Sequence, residues 1–277
     1  MLSFGMLLSD NDLELSGGDA QCALQHAVWT HTAEATTRPG LFHGGRLIGI
    51  DDLVSLGDGE VSRLYNALGA VIVKFLPAGE ASNFLERFAG PDRRFTGWDV
   101  FIGAEAAREA AGAYVDGFEL PAGWGLSVLA VEAPVTVITE IQTLQKHSGV
   151  APVPGYYQRG QAVPAVVGLL TDEAGAIVAT AQAYERHHAE SPWAGYIFVG
   201  MVAVHPEHRR KGFGTLINTF AISNAFAALN CTHVYEHARA DNLPSRGMIK
   251  AGGLCLDTRY RCVMFHDARR FGEEFTK

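Results

Sequence analysis

The sequence predicts a mixed α/β fold, and three observations lead there. Short runs rich in Val, Ile and Phe alternate along the chain with longer Ala-, Leu- and Gln-rich runs of helical character. Hydrophobic residues make up 48% of the 277 and charged residues only 19%, so the chain can bury a sizeable core and lacks the composition of a disordered one. The apolar run 196–204 is stopped by Pro206, passes through a basic loop with two glycines and enters another apolar run at about Thr215. That is a strand, a glycine loop and a helix in succession.

Taken in order, residues 18–36 read as helical, and Arg38, Pro39 and Gly40 break the pattern. Residues 47–50 read as a strand, 61–68 as a helix and 71–75 as a β-branched strand. Residues 82–88 read as a helix capped by Ser82, with Glu86 nearby. A strand at 98–102 and an alanine-rich helix at 105–113 follow. No motif in this half carries chemistry. His26, His31 and His43 are scattered and read as surface or core histidines. The turn-rich stretch 121–125 marks the predicted boundary between an N-terminal α/β domain, 1–125, and a second domain, 126–277.

Beyond that boundary, 126–132 reads as a strand and 136–146 as a helix. Residues 163–170 and 176–184 form a hairpin about the turn 171–175, and 195–204 is the strand before the basic loop. The helix 215–229 is apolar around much of its circumference, so it is predicted to be well buried. A strand at 233–240 precedes a helix capped by Asp241 or Asn242, which runs to Lys250 and is ended by Gly252 and Gly253. A strand at 260–265 and a polar tail, 266–277, close the chain. The order is β-α-β-β-β-α-β-α-β.

The net charge of −8 argues against a nucleic-acid or anionic-membrane partner, because such proteins need an excess of Lys and Arg. Cys22, Cys231, Cys255 and Cys262 form no C-x-x-C and read as reduced thiols of a cytoplasmic protein. The first residues lack a basic, then apolar, leader pattern. The best apolar run, 71–76, is far too short to span a membrane and contains Lys74.

Against this acidic background Arg209, Arg210 and Lys211 form a local positive island. Glycines let consecutive N–H groups turn to one spot, and a helix N-terminus adds partial positive charge. The expected guest is a small anion such as a pyrophosphate. Neither G-x-x-x-x-G-K-[ST] nor G-x-G-x-x-G is present. The pattern is Arg209-x-x-Gly212-x-Gly214, preceded by Val202, Val204 and Pro206. The stretch from Val202 to Thr215 resembles the coenzyme A loop of the GNAT superfamily of N-acetyltransferases, and residues from about 126 to 267 follow that family's element order. The resemblance implies a GNAT-like mixed central sheet flanked by helices. It also implies that the N-terminal half could be a degenerate second copy, without a coenzyme A loop of its own.

The resemblance further implies acetyl-CoA as cosubstrate, with no metal. Backbone groups of Val202, Ala203 and Val204 would face the pantetheine arm. Arg209, Arg210, Lys211, Gly212, Phe213, Gly214 and Thr215 would wrap the pyrophosphate. Gly200 fits the place where the family splays the strand with a bulge; simple close packing is the alternative. Asn242, with Ser245, stands where the family places an Asn that contacts coenzyme A; a plain helix cap is a compatible role. The family often has a Tyr seven residues later that protonates the thiolate. Here that residue is Ile249, with Ser245, Tyr260 or water as substitutes.

Acetyl transfer also needs a base for the incoming ammonium. His237 occupies the strand position where some members carry a carboxylate, and Glu236 is adjacent. Strand alternation puts only one of them on the cleft face, and imidazole has a suitable pKa. Glu185, His187 and His188 are the next candidates. His205 with His208, and Cys231 with His233, lack the completing pair of a metal site.

The expected activity is acetyl transfer to a primary amine of a small molecule or protein, with net charge favouring cationic amines. A silent acyl-CoA-binding sensor, a structural protein and transfer of a longer acyl group stay open as alternatives. A homodimer is also left open.

Overall fold

The computed structural model describes residues 10–273 and 275. The helices are α1 (Asp19–Thr30), α2 (Thr32–Thr37), α3 (Leu53–Leu68), α4 (Ala81–Arg87), α5 (Glu105–Asp116), α6 (Val135–His147), α7 (Gly155–Gln158), α8 (Phe213–Ala228), α9 (Leu243–Ala251) and α10 (Ala268–Phe271). The strands are β1 (Leu41–His43), β2 (Ile48–Ile50), β3 (Ala70–Pro77), β4 (Arg93–Gly103), β5 (Gly125–Val128), β6 (Ala165–Thr171), β7 (Ile177–Tyr184), β8 (Tyr196–Val204), β9 (His233–Ala238) and β10 (Cys255–Asp267).

All ten strands belong to one mixed sheet, in the order β1-β2-β3-β10-β4-β9-β8-β7-β6-β5. Only β2–β3 and β8–β9 pair parallel. Helix α8 covers one face. Its Leu216, Ile217, Ala221 and Ile222 pack with Ala107 and Ala111 of α5, Ala181 of β7, Ile197 and Val199 of β8 and Val234 of β9. This is the buried helix expected from its all-round apolar surface.

The last strand departs from expectation. It lies between β3 and β4, in the N-terminal part of the sheet. Val263, Met264 and Phe265 are buried against Val71 and Val73, so both faces of β10 are covered. The strand also runs past 265. His266 is polar yet buried, because its Nε2 bonds the Gly272 carbonyl at 2.9 Å and its ring stacks on Phe275. The predicted Ser82 cap is not realised: α4 starts at Ala81, after a short 3-10 turn, with Glu80 in the cap position. β1 and α7 are too short for periodicity to register.

Two contacts place the site. Asp99 of β4 pairs with Arg246 of α9, which ties that helix to the middle of the sheet. β1 and β2 form one edge of the sheet, and Tyr157 of α7 donates to the His43 carbonyl of β1 at 2.9 Å. No helix among the described residues is long and apolar enough to cross a membrane.

Candidate active site

The basic loop forms the cradle expected of it. Gly212 is the residue before α8 and has φ +83°, and Arg210 also sits in the left-handed region at φ +62°. The two reversals turn the chain sharply, and the first amides of a 16-residue helix point out of its N-terminus. Arg210 and Lys211 are exposed, and the Arg209 Nε donates to the Val204 carbonyl at 3.3 Å. Phe213 anchors the turn by stacking on Trp124, 5.0 Å between centroids. The Gly212 amide region abuts Phe118, whose ring would lie 2.9 Å from an added Cβ.

The strand that feeds this loop is bent. Met201 has φ +57°, and β8 slips register against β7 between the pairs Thr180–Ala203 and Gln182–Gly200. The bulge exchanges the faces. Ile197 and Val199 face α8 before it, and Val202 and Val204 do so after it. On the other side, β8 and β9 pair only from Tyr196–His233 to Phe198–Tyr235. Residues 199–204, still paired with β7, then have no partner on the β9 side, and a slot opens between β8 and β9. Backbone polar groups along such an edge can hold an extended, amide-containing chain as an added strand. The expected bulge is therefore present. The left-handed residue is Met201, whereas an added Cβ on Gly200 would meet the Phe198 ring at 2.7 Å, so Gly200 serves close packing.

The slot leads into a cleft of about 370 Å³ on the face opposite α8. Gly200, Val202, Asn242, Ser245 and Ile249 line it, as do Phe42, Lys74, Tyr184, Arg186, Phe198 and His237. Alternation separates the two base candidates as expected. His237 shares its face with Tyr235 and Phe198, with ring centroids 5.4 and 5.6 Å away, and its buried Nε2 has no partner. Burial first, then the charges of Lys74 and Arg186 and the neighbouring His187, push its pKa well below the usual histidine value, so the ring is neutral.

Glu236 points the other way and accepts from Asn218 Nδ2 of α8 at 2.8 Å. Burial raises its pKa to about 8, and the Asn218 bond only partly offsets this. Protonated in the fold and ionised when unfolded, it makes stability fall as pH rises from its unfolded value of about 4.5 to about 8. Glu236→Gln should therefore gain stability over wild type by up to about 1.4 kcal/mol per pH unit in that window. A melting-temperature difference that stays flat between pH 5 and 8 would exclude this.

Behind the cleft lies a polar network that joins both halves of the chain. Tyr235 Oη is the hub. Lys74 Nζ donates to it at 3.0 Å and Arg186 Nε at 3.1 Å, and it donates to His187 Nε2 at 2.7 Å. His187 Nδ1 then donates to Asp51, whose Oδ2 also accepts from Ser191 Oγ at 3.1 Å. Every proton has a place if His187 is neutral. Burial, the largest influence, lowers its pKa to about 4 despite the bond to Asp51. Lys74 is pushed well below the lysine range, by burial first and then by Arg186.

Residues 138–253 match the acetyltransferase (GNAT) family. The C-terminal half of this chain carries a GNAT domain. That match supports acyl transfer in general. The whole chain, N-terminal half included, resembles solved structures at low sequence identity. A Drosophila protein of structural-genomics origin is 12% identical with TM-score 0.55, over 96% of this chain and 98% of that one. A GCN5-related N-acetyltransferase from Kribbella flavida is 16% identical with TM-score 0.51, over 91% and 96%. A tandem GNAT protein from the clavulanic acid biosynthesis pathway is 14% identical with TM-score 0.52, over 93% and 95%. The last agrees with an extra N-terminal unit before the GNAT domain. No curated protein matches the sequence.

Other candidates fall around the GNAT domain as follows. Asn242 caps α9, its Oδ1 accepting from Ser245 N at 3.2 Å; Asn242 is exposed and Ser245 half-buried, and both line the cleft. Ala203 is buried under α6, so only its backbone is offered. Ile249 is 1% exposed and packs into the core. Tyr260 lies against Phe75 and Trp193, outside the cleft lining. Glu185 accepts from the Asn230 amide, and His188 Nδ1 from the Glu190 amide, both structural roles. His43 is buried and stacked on Tyr157. Burial, then Arg186, lowers its pKa to about 3.

The cleft differs from the expected preference for cationic amines. Arg46, Lys74, Arg186 and Arg239 line it, and the one acidic residue among its lining, Glu236, is held neutral by burial. Sequence reading missed Lys74, Arg186 and Tyr235. The available signal was Lys74, a charge inside a β-branched run that reads as a buried strand.

Proposed function

We propose that the chain is an acetyl-CoA-dependent N-acetyltransferase acting on a primary amine. The observation that carries this reading is the slot between β8 and β9, with the left-handed Gly212 cradle at one mouth and the His237 cleft at the other. The residues fit coenzyme A chemically. The amides of Phe213, Gly214 and Thr215 and the side chains of Arg209, Arg210 and Lys211 suit a pyrophosphate. The open edge of β8 from Val202 to Val204 suits an amide-rich arm, and Asn242 and Ser245 border it.

When bound, acetyl-CoA supplies a thioester whose C–S bond is exchanged for an amide C–N bond, leaving a free thiol and an acetylated amine. The chain's part is to hold the amine as it loses its proton. His237 Nε2, neutral and unpartnered, accepts a hydrogen bond from the amine within the cleft and orients it as its proton is lost. Backbone N–H groups at the bulge suit a developing negative oxygen.

We further propose that the division near residue 125 separates an N-terminal unit, which supplies the Phe42, Arg46 and Lys74 wall, from the catalytic unit. The free thiols of Cys22, Cys231, Cys255 and Cys262 are in keeping with a cytoplasmic, reducing setting.

Incubation with acetyl-CoA and a panel of amines should release thiol and add one acetyl group to an amine by mass. Tight binding with no release for any amine would instead identify a silent sensor. His237→Ala should lower kcat by about 10²–10⁴-fold. Unchanged activity across pH would remove His237 from the mechanism.

A further inference from the structure

Arg186 and Lys74 are not used by the mechanism above, and their surroundings are unusual. They are 7% and 2% exposed. Both sit over the same three rings, Phe42, Phe198 and Tyr235, with Arg186 Cζ 3.8 Å and Lys74 Nζ 4.3 Å from the Phe198 centroid. Both donate to one neutral oxygen, Tyr235 Oη. Two buried basic groups in one cage disfavour each other's charge, and a shared hydroxyl does not neutralise either. Among the described residues neither belongs to an ion pair. Asp51 is engaged by His187 and Ser191, and Glu236 lies on the opposite face with Asn218. Arg186 Nη2 is buried with no partner, and the side chain lines the cleft. A buried guanidinium with an open N–H group calls for an anionic oxygen.

We propose that the amine acceptor also carries a carboxylate, as in a small amino acid, and that Arg186 and Lys74 hold that carboxylate. This rests on the acyl-transfer reading of the same cleft. The spacing suits it. The Phe198 ring neighbours both groups, 3.8 Å from Arg186 Cζ and 5.6 Å from the His237 centroid, and all of them line one cleft. One small molecule can reach Arg186 and His237 together. A carboxylate on Arg186 therefore leaves the amine of the same molecule close to His237.

The approach is cationic as well. A second cavity, of about 430 Å³, adjoins the cleft and shares Arg46, Gly149, Val150 and Ala151 with it. Lys146 lines it too, and Arg46, lowered by burial to about 10, is still charged at neutral pH. This positive path would draw a carboxylate inward on a protein whose net charge is −8.

The test compares matched acceptors on the wild-type protein, each amino acid against its amide and its methyl ester, with an aminoalkyl phosphonate as a third arm. With acetyl-CoA present, the amino acid should exceed its amide in kcat/KM by about 10–100-fold, the worth of one or two charge-assisted hydrogen bonds. A phosphonate preferred over the carboxylate would overturn the assignment of the anion. Arg186→Gln should bring the acid-to-amide ratio close to one, with retained fold checked by circular dichroism. The wild-type comparison decides the matter even if that variant misfolds. Calorimetric titration of the same pairs into the protein bound to coenzyme A separates the two readings. Turnover of amines without a carboxylate preference would overturn the acceptor assignment and leave acetyl transfer standing. A carboxylate preference in binding without any turnover would overturn acetyl transfer and leave the anion site standing.

Discussion

Gly212→Val should abolish acetyl-CoA binding, raising Kd by about 100-fold or more, while the far-ultraviolet circular dichroism stays that of the wild type. Two independent costs meet at this residue. Its φ of +83° is a conformation that a β-branched residue adopts only at about 1–3 kcal/mol. An added Cβ would also sit 2.9 Å from Phe118 Cε2 and 3.5 Å from Tyr114 Oη, and both rings are braced by α5 and the loop after it. The chain escapes both costs by relaxing the turn, which swings the first amides of α8 away from their common focus. Loss of about 2.8 kcal/mol corresponds to that hundredfold change.

Gly214→Ala is the matched control. Its new methyl would meet Val204 Cγ2 at 3.6 Å, an ordinary contact, on a residue already within the helix. Binding should stay within about tenfold of wild type. Isothermal titration with acetyl-CoA reads both. If Gly212→Val binds as tightly as wild type, the loop is not the pyrophosphate cradle.

The contrast between this loop and the acceptor wall explains how much the sequence discloses. The cradle is local. Arg209, Gly212 and Gly214 lie within six consecutive residues, and strand, turn and helix follow without interruption, so spacing alone carries the information. The bulge at Met201 is nearly as local, although the family resemblance points to Gly200 and does not disclose which residue takes the left-handed conformation. The wall is different. Tyr235 meets Lys74 across 161 residues and His187 across 48, and no window of the sequence holds both ends of either contact.

Placement of β10 shows the same limit. Its apolar run is legible, but its insertion between β3 and β4 depends on long-range pairing that the run does not encode. Net charge misleads for a related reason. The sum of −8 is spread over the surface, whereas the cleft gathers Arg46, Lys74, Arg186 and Arg239 from four separate stretches.

Tyr235→Phe should lower the unfolding free energy by roughly 2–5 kcal/mol, more than any other single-oxygen deletion near the cleft. The hydroxyl makes three hydrogen bonds: it accepts from Lys74 and Arg186 and donates to His187. The ring it hangs on is fully buried, and water cannot easily replace it. Removing the oxygen leaves two buried cationic side chains without that acceptor and the imidazole without its donor, which is the costly form of hydrogen-bond loss. The phenyl ring remains to fill the space, so the packing cost is small.

A double-mutant cycle separates this account from generic damage at a buried site. Lys74→Met removes one of the cations that need the oxygen while keeping the stem's contacts with Phe42 and Phe198. Combined with Tyr235→Phe, it should be less destabilising than the two single changes added together, by about 0.5–3 kcal/mol. Urea unfolding midpoints of the four proteins supply the comparison. Strict additivity would mean that Tyr235 does not support Lys74, and the hub would dissolve into ordinary core packing. A favourable coupling would instead show that the cleft's positive wall is held in place by a tyrosine from the GNAT domain acting on a lysine from the N-terminal half.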